Sequence, residues 1–266
     1  MAWQIRSVVS KLLGHKKQES AVEIEWSVAP FLCDRNKISL DIGADHGGYA
    51  RLICNHSKKC IAFEARPDQA AMIRGSATAR SLPISVESVA LSDSEGFAKM
   101  RVLTRDPGRG TIEPLNSLTD PDGSPETSLT VPKKCLDSYG LTDVGFIKID
   151  VEGHELAVLK GAEKTIRDSI PNLLVEVEER HHSGAIESVS SFLATLGYEG
   201  FFILEGIVHP FADFDKSSHQ NPANIASWKD GWKRFGIYVN NFFFLPAGKG
   251  DVLRRAVEDS GARRKQ

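Results

Sequence analysis

A chain of 266 residues is long enough to bury the core of one large domain or two small ones. Its 33 basic and 35 acidic residues leave a formal charge of −2, which excludes the electrostatic footprint of extended nucleic-acid binding. Its apolar runs are far shorter than the roughly 20 residues that cross a bilayer, and no secretory signal pattern is visible. Four cysteines without CxxC spacing or a disulfide framework predict reduced thiols in a cytoplasmic protein.

The ends of the chain are predicted to flank one central domain. Residues 1–37 are predicted to form a helical appendage, whose short apolar stripe around Ile5, Val9 and Leu13 favours packing on the domain. A helix over residues 21–31 then leads into the core. The domain itself is predicted to span residues 38–247. Residues 248–266 are predicted to form a C-terminal tail, solvated from Arg254 onward.

From Lys37 onward, apolar strand patterns alternate with helical patterns. Strands are predicted at residues 39–42, 59–63, 84–90, 146–150 and 172–177, with a closing pair at 200–205 and 237–245. Helices are predicted at 48–55, 67–80, 154–168 and 186–196. This alternation favours an α/β fold with a doubly wound, mostly parallel sheet covered on both faces. Two stretches, 104–131 and 209–235, are predicted to be irregular lids or binding loops.

The first two strands end in residues that suit a nucleotide. Gly43 and Gly47 permit a tight turn after the first strand and a close approach of a ligand to the backbone. The run lacks both the GxGxxG spacing of dinucleotide sites and the Lys-Ser/Thr of a phosphate-binding loop. Glu64 ends the second strand about 20 residues later, where a carboxylate can accept both hydroxyls of a ribose.

The sequence FIKIDVEGHELAVLKGAEKTI, residues 146–166, is the most informative stretch. Asp150 lies at the carboxyl end of its strand, where ligands of open α/β sheets bind, and Glu152 and His154 follow in the turn. All three are candidates for a general base, and histidine titrates close to neutral pH. The alternative is structural: the acids would cap the following helix, and His154 would order the turn.

This stretch is similar to the signature of the FkbM-type methyltransferases, and the resemblance extends over about residues 38–246. Members of that family transfer a methyl group from S-adenosylmethionine, typically to a hydroxyl of a sugar or natural product. The resemblance implies a Rossmann-like class I methyltransferase fold with a doubly wound, mostly parallel seven-stranded sheet. Residues 240–246 would then form the final strand, inserted between two others.

The resemblance also implies a set of cofactor contacts. The turn after the first strand resembles the D-x-G-x-x-x-G loop that binds S-adenosylmethionine, in which Asp41 would hold the ammonium of the cofactor. The end of the third strand would lie against the adenine. The residues expected to contact the cofactor are Asp41, Gly43, Ala44, Asp45, Gly47, Glu64, Ala90, Leu91 and Asp150.

A second acidic cluster follows the fifth strand. Glu176 and Glu178 would share one face of the extended chain. With Asp150 they could hold a divalent metal such as Mg²⁺, or they could bind hydroxyls of the acceptor. A metal is not favoured, because no tight ligand spacing requires one. His181 and His182 are better explained as a polar loop than as a zinc site.

Trp228 and Trp232 are four residues apart and would share one face of a short helix. That face could stack on a sugar ring or another planar acceptor, or it could pack under the loop. The function predicted from all these features is that of an S-adenosylmethionine-dependent O-methyltransferase for a small-molecule or glycan acceptor. The alternatives are an NAD-type oxidoreductase and a non-catalytic binding module that keeps the fold.

Overall fold

The computed structural model describes residues 24–118, 123–225 and 235–261, which form two β-sheets and their flanking helices. The strands are β1 Ile38–Ile42, β2 Lys59–Phe63, β3 Ile84–Glu87, β4 Ala90–Leu91, β5 Gly96–Leu103, β6 Asp106–Thr111, β7 Glu126–Lys134, β8 Val144–Ile149, β9 Asn172–Glu176, β10 Tyr198–Leu204, β11 Ile207–Pro210 and β12 Asn241–Pro246. The helices are α1 Ile24–Leu32, α2 Gly48–Ile53, α3 Pro67–Ala79, α4 Glu155–Lys160, α5 Glu163–Ser169, α6 Ala185–Thr195, α7 Lys216–His219 and α8 Gly250–Asp259.

The larger sheet has the order β11-β10-β12-β9-β8-β1-β2-β3. Its strands β3, β2, β1, β8 and β9 are parallel to one another, and β12 is antiparallel to both of its neighbours, β9 and β10. The central strand β8 buries Phe146, Ile147 and Ile149, as expected of a strand covered on both faces. The doubly wound, mostly parallel sheet is therefore confirmed, and residues 241–246 form the inserted strand.

The larger sheet has eight strands where seven were predicted. The additional strand, β11, lies at the edge and pairs antiparallel with β10. Glu205 and Gly206 join the two strands, with φ angles of 52° and 72°. Two successive positive φ angles are typical of the tight turns of two-residue hairpins, which explains why the chain reverses there and adds an edge strand.

The smaller sheet has the order β4-β7-β5-β6, and the prediction of an irregular segment over residues 104–131 is wrong for residues 106–111 and 126–131, which form strands. Strand β5 pairs with β7 along the whole length of β5, from Gly96 to Leu103. Strand β6 has the sequence DPGRGT, and as an edge strand it tolerates the proline and glycines that suggested a loop. The predicted third strand also divides, because it leaves the larger sheet after Glu87 and Ala90–Leu91 joins the smaller one.

The single helix predicted over residues 154–168 is two helices, α4 and α5. Gly161 lies at their junction, against the backbone of Ser92. A Cβ atom at Gly161 would lie 1.9 Å from the carbonyl oxygen of Ser92. The junction therefore allows the helix pair to approach the segment that follows β4 in the smaller sheet.

Both flanks of the described chain pack into the core. Helix α1 buries Val28 and Leu32, and helix α8 buries Leu253 and Val257, in one apolar cluster with Phe243 of β12. The prediction of a solvated end is therefore wrong for Ala256 and Val257, which are buried on the inward side of α8. No helix within residues 24–118, 123–225 and 235–261 is long and apolar enough to cross a membrane.

Candidate active site

A cavity opens at the carboxyl ends of β1, β2 and β8. Gly43 follows β1, Glu64 follows β2 and Asp150 follows β8, and all three line the cavity. The smaller sheet covers it from the other side with a group of residues that we call the roof: Met100, Gly108, Gly110 and Ile112. The mixed polar and apolar lining is that of a site for a small molecule or cofactor.

The turn after β1 passes directly against the end of β8. Gly43 has a φ of +77°, and a Cβ atom there would lie 1.7 Å from the carbonyl oxygen of Asp150. Only glycine combines that backbone conformation with so close an approach. The two strand ends are thereby brought together at the wall of the cavity.

Asp41, predicted to contact the cofactor, instead lies beneath the turn. Its side chain is buried, and Oδ2 accepts a hydrogen bond of 2.7 Å from the backbone N–H of Ala50 in α2. Burial raises the pKa of Asp41 to about 7. Ala44 and Gly47 likewise lie outside the cavity lining. Asp41 thus supports the turn from behind.

Glu64 lies in the cavity wall with its carboxylate fixed by the backbone. One oxygen accepts the N–H of Asp45 and the other accepts the N–H of Arg66, both at 2.8 Å. Burial raises the pKa of Glu64, and these two hydrogen bonds oppose that shift. The bond to Asp45, which also lines the cavity, ties the end of β2 to the turn after β1.

One wall of the cavity is apolar. It consists of Phe63 at the end of β2 and Val89, Ala90 and Leu91 near the start of the smaller sheet. Ala90 and Leu91, both predicted to contact the cofactor, are therefore in the lining. This apolar wall suits contact with a flat aromatic ring, because burying the apolar surfaces of the wall and of the ring against each other is favourable.

Asp150 faces the cavity, and the buried ammonium of Lys148 lies near its carboxylate. Its side chain is 36% exposed, and Oδ2 lies 3.8 Å from the Nζ of Lys148, which is buried in β8. Lys148 also lies 3.5 Å from Glu176 of β9. Loss of bulk water raises the pKa of Asp150, and the ammonium of Lys148 opposes this shift.

Glu152 lines the cavity, and its backbone φ angle is +54°, which is uncommon for a residue other than glycine. Its Oε2 lies 3.0 Å from the Nε2 of His181, which is almost fully buried in the loop after β9. Burial alone would raise the pKa of Glu152, but the pairing with His181 outweighs it and the pKa is lowered. His181, predicted to belong to a polar loop, is therefore the buried partner of a cavity carboxylate.

His154 also lines the cavity, and both of its ring nitrogens have partners. Nδ1 lies 3.0 Å from Oε2 of Glu113, and Nε2 lies 2.9 Å from Oγ of Ser92. The histidine begins α4, so the turn that holds Asp150, Glu152 and His154 is tied to the smaller sheet. The three predicted catalytic residues are thus brought together at one cavity.

The predicted acceptor residues lie elsewhere. Glu176 pairs with Lys148 and accepts from Nδ2 of Asn240 at 2.6 Å, and it does not line the cavity. Glu178 is buried against Arg180, whose Nη2 donates at 2.8 Å, and against the hydroxyl of Tyr238. Its oxygens are therefore committed within the protein.

No group of three or more His, Cys, Asp or Glu side chains in the described part of the chain is arranged to hold a metal ion. Asp150 and Glu176 instead share the ammonium of Lys148, and Glu178 pairs with Arg180. Trp228 and Trp232 lie outside the described residues.

Sequence reasoning missed several residues of this site. A lysine inside the apolar strand β8 was a usable signal, because a buried ammonium requires anionic partners. No local pattern singles out Ser92 or Glu113, which lie 62 and 41 residues from His154 in the chain. The roof was missed for the reason given above, since a Pro- and Gly-rich edge strand has the composition of a loop.

The larger sheet is doubly wound, and the antiparallel strand β12 is inserted between β9 and β10. Together with the cavity at the carboxyl edge of the sheet, this topology defines a Rossmann-like methyltransferase fold. The sequence profile of the family described as Methyltransferase FkbM domain matches residues 33–200. The chain therefore belongs to the FkbM methyltransferase family, and the resemblance drawn from residues 146–166 is confirmed. No curated protein matches the chain at a significant level.

Several solved structures are similar to the chain. An FkbM methyltransferase from Methylobacillus flagellatus has a TM-score of 0.48 and 16% identity over 79% of this chain and 44% of its own. A protein from Streptococcus mutans, described as a methyltransferase and solved in complex with SAH, has a TM-score of 0.43 and 10% identity over 84% of this chain and 95% of its own. An rRNA methylase from Streptococcus thermophilus has a TM-score of 0.42 and 10% identity over 83% and 90%. This chain thus spans less than half the length of the first of these structures.

Proposed function

We propose that the protein is an S-adenosylmethionine-dependent O-methyltransferase that acts on a hydroxyl of a sugar or another polyhydroxylated metabolite. The observation that carries this proposal is the convergence of Gly43, Glu64 and Asp150 on one cavity. Membership of the FkbM family supports methyl transfer. The acceptor class rests on the resemblance of residues 146–166 to that family. The four free cysteines support a reducing compartment such as the cytoplasm.

The lining of the cavity fits S-adenosylmethionine. The carboxylate of Glu64 offers only acceptors, which suits two neighbouring ribose hydroxyls. The wall that contains Ala90 and Leu91 suits the adenine. The turn at Gly43 and the carboxylate of Asp150 would then face the amino-acid part, where a cation is favoured. When bound, the cofactor would supply a methyl group already activated on a sulfonium.

The side chains around Asp150 would activate and orient the acceptor hydroxyl. A neutral hydroxyl is a poor nucleophile, and a general base typically contributes about 10²–10⁴-fold. Asp150 is the best placed base, because it faces the cavity and its raised pKa brings it closer to neutral pH. The lowered pKa of Glu152 makes it a weaker base, so we assign it to hydrogen bonding of the acceptor.

The first test is calorimetric titration of S-adenosylmethionine into the wild type, Glu64→Gln and Glu187→Gln. Glu187 is an exposed carboxylate of α6 and is the matched control. We expect micromolar-range binding by the wild type and the control. Glu64→Gln should bind about 10–100-fold more weakly, because one ribose hydroxyl loses a charged acceptor. Circular dichroism would verify that each variant is folded.

The same titration with NAD⁺ tests the oxidoreductase alternative. Binding of NAD⁺ without binding of S-adenosylmethionine would refute the proposal. A panel of sugars and polyols is then assayed for release of S-adenosylhomocysteine, which should be lost in Asp150→Asn. Cofactor binding without turnover of any acceptor would favour the non-catalytic module instead.

A further inference from the structure

The smaller sheet is fastened to the turn that contains Asp150, Glu152 and His154. Thr111 Oγ1 and Asn116 Nδ2 both donate to the backbone carbonyl of Glu152, each at 2.8 Å. Thr111 and Asn116 are almost fully buried, so these bonds are shielded from water. Strand β6 and the segment after it also supply Gly108, Gly110 and Ile112 to the cavity. The two hydrogen bonds therefore hold the roof at a fixed distance from the turn that contains Glu152.

A third fastening is made by side chains alone. His154 lies between Glu113, which follows β6, and Ser92, which follows β4, with contacts of 3.0 and 2.9 Å. The main chain of Glu113 is held as well, because Arg101 Nη2 of β5 donates to its carbonyl at 2.8 Å. We call the three residues Ser92, Glu113 and His154 the latch.

Both ring nitrogens of His154 are hydrogen-bonded within the protein. A carboxylate accepts only, so Nδ1 must carry a hydrogen and donate it to Glu113. In the neutral ring the lone pair on Nε2 then accepts the hydroxyl hydrogen of Ser92. In the charged ring Nε2 donates to the same hydroxyl. In both states the nitrogens of His154 are engaged with the protein.

We propose that His154 and Glu113 are positioning residues that hold the roof over the cofactor cavity, and that His154 is not the general base. This inference rests on the proposed function for the identity of the cofactor. The latch acts on the residence of the cofactor, because Met100 and Ile112 of the roof must separate from the opposite wall before a bound molecule leaves.

The test uses S-adenosylhomocysteine as the probe and follows its displacement by stopped flow. Glu113→Ala should release it about ten-fold faster, the effect expected when a hydrogen bond to a charged group is lost. Glu113→Gln should restore the wild-type rate to within about three-fold, because the amide oxygen still accepts from Nδ1. Glu95→Ala is the matched control, since Glu95 is exposed in the same part of the chain, and its rate should equal that of the wild type.

A double-mutant cycle separates the latch from two independent effects. His154→Ala should release the probe as fast as Glu113→Ala, and the double variant should be no faster than either. Rates that multiply in the double variant, or an unchanged rate in His154→Ala, would overturn the proposal. So would a Glu113→Gln variant as fast as Glu113→Ala, because the pair would then not act through hydrogen bonding.

Hydrogen exchange of the cofactor-free protein distinguishes a failed latch from a wrong cofactor. Glu113→Ala should accelerate amide exchange over residues 108–118 and leave α6 unchanged. If the wild type does not bind the probe, the proposed cofactor is wrong, and the exchange data still decide whether the latch holds the roof. Unchanged exchange over residues 108–118 would refute it.

Discussion

Glu152 presents a carboxylate to the cavity while His181 holds that carboxylate from behind, at 3.0 Å. Burial alone would lower the pKa of His181, but its close pairing with the carboxylate of Glu152 outweighs burial and raises it. The buried groups that face His181 are Glu152 and Glu155 from the turn and α4, and Glu178 and Arg180 from its own loop. With more carboxylates than cations around it, the imidazole is stabilised as a cation.

We expect His181→Ala to lower the free energy of unfolding by about 3 kcal/mol near pH 6, because it leaves a buried carboxylate without its partner. The pKa of His181 is raised, so its contribution is full below the ordinary histidine value and is lost as pH rises through the folded value. The pKa of Glu152 is lowered, so its contribution is present above the ordinary glutamate value and is lost as pH falls through the folded value.

Urea unfolding of the wild type and His181→Ala near pH 6 and pH 9 measures this dependence, and the deficit should be at least about 1 kcal/mol smaller at the higher pH. His182→Ala is the control, because the Nδ1 atom of this neighbouring ring lies 3.4 Å from the backbone carbonyl of Ser183 and the ring is partly exposed. Its effect should stay within about 0.5 kcal/mol at both pH values. A deficit in His181→Ala that does not change with pH would contradict the ion pair.

The residues that sequence could predict are those whose place follows from the strand ends. Gly43, Glu64 and Asp150 each follow a parallel strand, and the carboxyl ends of such strands share one edge. Asp41 and Glu178 could not be assigned in the same way. Asp41 accepts from the backbone N–H of Ala50 and Glu178 accepts from the side chain of Arg180, and residue type alone does not reveal either partner. Proximity to a strand end therefore predicts the neighbourhood of a side chain better than its direction.

Among the elements, the break between α4 and α5 offers a direct test of the packing. Gly161→Ala should destabilise the protein by about 2 kcal/mol, because the new Cβ would lie 1.9 Å from the carbonyl oxygen of Ser92 and the backbone must shift. Gly75→Ala is the control: Gly75 lies in α3 with no atom within 4 Å of the added Cβ, and it should gain up to about 1 kcal/mol. Thermal unfolding measures both, and an equal gain in both variants would show that the junction has room.

Helix and strand types were predictable where the apolar period was clear, as in β2, α3 and β9. The smaller sheet was not, since β6 combines proline and two glycines in six residues and pairs on one side only. Local composition there favours a loop, whereas pairing with β5 decides the structure. The roof of the cavity is thus the element whose place depends most on contacts distant in sequence.

Across the whole molecule, the two flanks close the core on the face of the sheet opposite α4 and α6. Helices α1 and α8 share an apolar cluster that includes Val28, Leu253 and Phe243, whereas Val158 and Val189 belong to the other cluster. The helix over residues 21–31 was predicted to lead into the core, whereas α8 was predicted to belong to a tail, and half of its ten residues are charged. Its few apolar side chains are spaced three to four apart, and that spacing was the signal for a packed helix.

Leu253→Ala tests whether α8 belongs to the core. Leu253 is fully buried, so its truncation should lower the free energy of unfolding by about 3 kcal/mol, through lost burial and the cavity left behind. Arg255→Ala, on the exposed side of the same helix, should change it by less than about 0.5 kcal/mol. Urea unfolding followed by tryptophan fluorescence measures both, and Trp26 of α1, which stacks on Tyr49, reports from the adjoining helix. Equal stabilities of the two variants would mean that α8 contributes nothing to the fold in solution.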